Sequence, residues 1–197
     1  PFALTWIVRY QYLNPRWSYL PGPGIARGKA LAKVVSWGHR ECNEPACHMV
    51  SFMWGAGRPA AYLHENLSPI THERLGDLFG GVTINYFRHV RKMVRRGKAV
   101  RMNPADDSYG DLPRNYLEGA VDIDLPPILF VTGDTNRVFT DSNIVCHEVL
   151  NRLDPKNRNE LEVFENYGHQ DVFMGMDCDR DTFPRFKEFL DQHRAGG

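Results

Sequence analysis

PPILFVTGDTN, residues 126–136, joins a pair of prolines to an unbroken apolar run that ends in glycine and a polar turn. A short apolar run of this kind, bounded by turn residues on both sides, reads as a strand buried on both faces of a parallel sheet. The strand is predicted over 128–133, followed by a loop, DTNRVFTD, and a helix through SNIVCHEVLNRL, 142–153. LEVFE, 161–165, reads as a second strand that ends in the NYGHQD loop. The closing helix is predicted to begin near Asp179 and to carry Phe183, Phe186, Phe189 and Leu190 on one side. Strand, helix, strand, helix is an α/β unit with parallel strands. In such sheets the working residues sit on loops at the carboxyl ends of the strands, so Asp134 and His169 are expected on one edge.

The 197 residues, 42% hydrophobic and 24% charged, suffice for one ordinary soluble domain or a large piece of a bigger one. Lys+Arg and Asp+Glu are 24 each, so net charge is zero and no global field draws the chain to nucleic acid. No window approaches the roughly 18 to 20 apolar residues that span a bilayer, and PFALTWIVRY lacks the order of a signal peptide. A cytoplasmic protein is expected. Because the chain begins at Pro1 without an initiator Met, we expect a piece of a longer polypeptide whose N-terminal portion is missing.

Upstream of the α/β unit two regions are expected. Residues 1–41 form a loop-rich lead-in, with Pro and Gly alternating in YLPGPGIARGKA. Residues 42–120 form a helical, cap-like region, and 121–197 the strand-helix-strand-helix unit. Within the middle region ITHERLGDLFG predicts a short helix stopped by Gly80-Gly81. VTINYFRHVRKMVRRGKAV predicts a second, with Ile84, Phe87, Val90 and Val94 at helical spacing. The other face of that helix carries Arg88, Arg91, Lys92, Arg95, Arg96 and then Lys98. It reads as a solvated face whose basic residues suit the helix C-terminus, with contact to an anionic membrane surface or to a partner domain as the alternative. In CNEPACH, Cys42, Cys47 and His48 lie close together, but a structural zinc site needs a fourth ligand, and none stands at customary spacing. His48, His64, His72 and His89 are scattered, so packed or reduced thiols are expected, with a local disulfide or a metal site as alternatives.

An acid after one strand and a histidine after the next follow the order of α/β-hydrolases. His169 would be the general base, and its acid partner would fix the tautomer and stabilise the imidazolium. CNEPACHMVSFMWG, AYLHENLSPITHERLGDLFG with the basic helix, LPPILFVTGDTN and YGHQDVFMG together resemble one family. It is the α/β-hydrolase-like portion fused behind the flavoprotein part of bacterial long-chain GMC-type, cholesterol-oxidase-like oxidoreductases. The resemblance runs from about Cys42 to the last helix. It implies the C-terminal part of an α/β-hydrolase fold, a parallel sheet flanked by helices, with a helical cap-like region.

Two departures from that pattern stand out. The six serines, 18, 36, 51, 68, 108 and 142, all lack the flanking glycines of a nucleophile elbow, which is expected upstream of Pro1. The customary acid position, three residues after the strand-ending glycine, is held by Asn136, while Asp134 directly follows Gly133. Asp134 and Asn136 are therefore both candidates for the partner of His169. The resemblance implies an esterase or lipase of lipid metabolism acting, when complete, on a small apolar ester or sterol-like substrate. Phe52, Met53, Trp54, Tyr62 and Phe79 suit an apolar pocket or an ordinary core. The competing implication is a non-catalytic domain attached to a FAD-dependent sterol or alcohol oxidoreductase. This chain has no glycine-rich dinucleotide fingerprint, so no cofactor is expected in it and any FAD belongs elsewhere in the parent.

Overall fold

A computed structural model describes residues 19–20, 33–34, 36–37, 41–54, 61–79, 82–118, 120, 123–153 and 158–194. Most of the expected lead-in, 1–41, lies outside the described residues, as do the Gly80-Gly81 stop and the side chains of 52–54. Tyr19 and Leu20, expected in a loop, form a two-residue strand β1, Tyr19–Leu20, antiparallel to β2, Val82–Thr83.

Helix α1, Pro45–Trp54, has a proline at its start, where the missing N–H costs no hydrogen bond. The expected helix near residue 70 is two short ones, α2, Pro69–Glu73, and α3, Leu75–Leu78, meeting at Arg74. Ser68 caps α2 by accepting from the Thr71 N–H at 3.2 Å, the pairing the Ser-Pro start announces. Helix α4, Ile84–Arg96, buries Ile84, Phe87 and Val90 and ends at Gly97, whose φ of 59° closes it in the left-handed conformation. Val94 shares the spacing but stays half exposed, so the buried stripe is one turn shorter than its pattern.

On the basic side of α4, Lys92 donates to the Arg101 and Met102 carbonyls at 2.7 Å, and Lys98 pairs with Glu118 at 2.9 Å. Val100 and Asn115 form an antiparallel bridge that closes the polar loop between them. The Arg101 guanidinium donates to the Pro113 and Gly110 carbonyls and lies over the Tyr109 ring.

The decisive run is strand β3, Leu129–Gly133. It is followed by α5, Ser142–Leu153, and by β4, Glu160–Phe164. β3 and β4 are parallel neighbours, in register from Leu129 opposite Glu160 to Gly133 opposite Phe164. The chain therefore combines helices with a small parallel sheet, two-stranded among the described residues. Side chains alternate across the sheet. Phe130 meets the His147 ring of α5 on one face, and Phe164 meets Phe186 of the closing helices on the other. Only Thr132 and Gly133 of β3 are buried; Leu129, Phe130 and Val131 are half-buried, less enclosed than their apolar run predicts, since among the described residues a single strand flanks them. Asn143 of α5 reaches Val131 and donates to its carbonyl.

Three helices close the chain: α6, Asp171–Met174; α7, Cys178–Asp181; and α8, Phe183–Gln192. Phe189 turns inward, while Leu190 is 67% exposed, one position and about 100° further round the helix, so the expected apolar side is narrower than four residues. One core joins Ala46, Cys47 and Val50 of α1 with Ala61, Tyr62, Leu67, Leu75 and Val138. Phe139 and Met174 pack against it, which seats the helical region on the loops that follow β3 and β4. No helix among the described residues is long and apolar enough to cross a membrane.

Candidate functional site

The loops after β3 and β4 interlock at the carboxyl edge of the sheet. A Cβ on Gly133 would lie 1.9 Å from the Tyr167 carbonyl oxygen, so only glycine lets the second loop cross here. Thr135 fastens the crossing, donating from both its N–H and its hydroxyl to that carbonyl at 3.1 and 2.6 Å. Asp134 accepts from the Asn166 N–H at 2.8 Å and holds Asn166 at a φ of 59°. Asn136 is buried; its carbonyl accepts from the Val138 N–H at 2.8 Å and its amide donates to the Thr132 hydroxyl at 3.1 Å. The two residues expected to partner His169 are thus both engaged in turns, and neither hydrogen-bonds to it.

His169 stands on the second loop, half-buried. Burial lowers its pKa, and the charge of Asp171 partly restores it. Asp171 is fully buried. Its two oxygens accept from the Gly168 N–H at 3.0 and 2.9 Å, and Oδ2 accepts from the Asn66 amide at 2.7 Å. The strip 61–66 lies along this loop: Ala61 accepts from the Gln170 N–H at 2.9 Å, and Asn66 donates to the Asn166 carbonyl and accepts from the Met176 N–H. An imidazole held neutral beside a carboxylate is suited to take up a proton.

The same strip contributes His64 to a second group of chemical side chains. Cys42 precedes α1, Cys47 lies in its first turn, His64 opens the 3-10 turn His64–Asn66, and His72 sits on α2. One ligand atom from each of these four lies within 4.8 Å of the others. The Cys47 sulfur is 3.0 Å from His64 Nε2, and on the far side of the ring His64 Nδ1 is 2.9 Å from a Glu41 oxygen. The His64 and His72 rings meet edge to face at 5.0 Å. His72 keeps a buried Nε2 with no hydrogen-bond partner among the described residues. Both cysteines are free thiols, so the alternative of a local disulfide is not realised. Burial pushes the Cys47 thiol well up, and the fully buried Tyr62 phenol is pushed up by burial and by Cys47.

His48, the imidazole nearest the cysteines in sequence, is not one of this group and bonds through Nε2 to the Cys42 carbonyl at 2.8 Å. His64 and His72 take its place. Their separation of eight exceeds the customary spacing of a paired zinc-ligand histidine motif, so linear pattern reading misses them. The available signal was five cysteines and histidines within 31 positions, 42 to 72, of which four converge. No protein-family model, no curated protein and no solved structure matches the chain.

Proposed function

We propose that the chain is the C-terminal part of an α/β-hydrolase-like unit, in which His169 acts as general base and then acid. A nucleophile outside these residues would attack the acyl carbon of an apolar, lipid-like ester. The observation that carries this reading is the carboxyl edge of the parallel pair, where interlocked loops hold a half-buried His169 with a lowered pKa beside the buried Asp171. The lowered pKa keeps the imidazole neutral and able to accept the nucleophile's proton near neutral pH. Asp171, by its charge, takes the part expected of Asp134 or Asn136 in stabilising the imidazolium.

One observation favours a second reading. Asp134 and Asn136 both hold turns, which suits a non-catalytic domain attached to a FAD-dependent sterol or alcohol oxidoreductase of the GMC type. The test uses the polypeptide encoded by the whole reading frame, assayed on short- and medium-chain nitrophenyl esters and probed with a fluorophosphonate. Ester turnover that is lost in His169→Ala supports the hydrolase. Absence of turnover and labelling in a folded protein that oxidises sterol equally well with or without His169 overturns it and leaves the docking domain.

A further inference from the structure

We propose that Cys42, Cys47, His64 and His72 bind a single Zn(II) ion as a closed, structural site. Two thiols and two imidazoles converging within 4.8 Å supply the donor number and donor type of a tetrahedral zinc centre. Soft sulfur excludes magnesium and calcium, which take oxygen ligands. Four protein ligands fill the tetrahedron and leave no position for a substrate, which separates this site from catalytic zinc.

Charge agrees with this assignment. Zn(II) displaces one proton from each thiol, and two thiolates with two neutral imidazoles give a centre of zero net charge, with two protons released to solvent. A neutral centre suits a place where Cys47 is fully buried and the other three ligands are half-buried. Independent support comes from the surroundings. His64 turns Nε2 toward Cys47 and places Nδ1 against Glu41 at 2.9 Å, the carboxylate-histidine pairing that fixes the tautomer of metal-bound imidazoles. His72 carries a buried nitrogen without a hydrogen-bond partner among the described residues, and ligation removes the cost of leaving such a group unsatisfied.

The site has a structural consequence. His64 belongs to the strip whose Ala61 and Asn66 hold the His169 loop, so the metal ties α1 and α2 to the segment that seats that loop. The site itself stands independently of any hydrolase activity.

The test uses the full polypeptide, purified without a histidine tag or metal-chelate resin. Elemental analysis is expected to find one zinc per chain. Replacement by Co(II) is expected to give thiolate-to-cobalt charge-transfer bands in the near ultraviolet together with the intense visible bands of tetrahedral cobalt. Cys42→Ser and His72→Ala should each weaken binding at least tenfold in competition with a chromophoric chelator, and Cys146→Ser should leave it unchanged. A folded wild-type chain that takes up no zinc overturns the proposal. So do a weak octahedral cobalt spectrum without charge transfer, and undiminished binding in Cys42→Ser/Cys47→Ser. The spectrum of the wild-type chain decides the matter even if a variant fails to fold.

Discussion

Asp171 lies out of contact with water, and its two oxygens are taken by the Gly168 N–H and the Asn66 amide. Asp171→Asn preserves volume but offers one acceptor oxygen and points an NH2 group at a donor. The expected loss is about 2–3 kcal/mol of stability, read from urea unfolding. The same substitution removes the charge that supports protonation of His169, so an NMR titration should show the imidazole pKa falling further. A second prediction concerns pH. His169 has a folded-state pKa below its ordinary 6.5, so the unfolded chain binds the proton more readily. Its contribution is fully present above pH 6.5 and is lost as pH falls through that value and the folded pKa. His169→Gln should therefore flatten this part of the stability profile, and an unchanged slope would show that another group governs it.

At the scale of elements, a cation joins α8 to the sheet. Arg185 bonds Glu162 at 3.0 Å and Glu160 beside it, with Glu188 at 3.5 Å, and its side chain is only 21% exposed. A half-enclosed, multiply bonded guanidinium is worth more than a surface pair. Arg185→Ala is expected to cost about 1–2 kcal/mol, with part of the loss masked when wild type and variant are compared in high salt. Elements with local causes were legible in the sequence. The helix at 142–153 follows its apolar spacing, Ser68-Pro69 announces α2, and both parallel strands fall within a residue of their apolar runs. What escaped was set by contacts distant in the chain. Nothing beside Tyr19 reveals that it pairs with Thr83, and nothing beside Asp171 reveals the Asn66 amide that lets a carboxylate be buried. Asp134 and Asn136 read both as partners of His169 and as turn formers, since Asx side chains serve both uses; the loop crossing at Gly133 decides which geometry they meet.

For the molecule as a whole, the proposed zinc site and the His169 loop share one strip of backbone. Removing the metal should loosen that strip while the sheet persists. Hydrogen exchange on the chelator-treated chain is expected to speed up at the Gln170 and Met176 amides, which bond to Ala61 and Asn66. The amide of Glu160, bonded to Ile128 beside the strands, should keep its protection. Equal acceleration at all three would mean that the metal supports the entire fold, and no change would separate the two sites. The apolar face of the closing helices belongs to this scale as well. Phe173, Phe183 and Phe186 stack at 5.5 to 6.0 Å, with Phe173 and Phe183 partly open to solvent.

The bond from Asn66 to Asp171 spans 105 residues. During synthesis the strip that seats the His169 loop leaves the ribosome long before its counterpart exists. At the usual 5 to 20 residues per second this delay is roughly 5 to 20 s. Tyr62, Leu67 and Leu75 lack Val138 for about the first two thirds of that interval and Met174 for all of it. The strip thus waits for the segment 166–176 before its hydrogen bonds can form, which makes the order of translation a determinant of how safely this molecule folds.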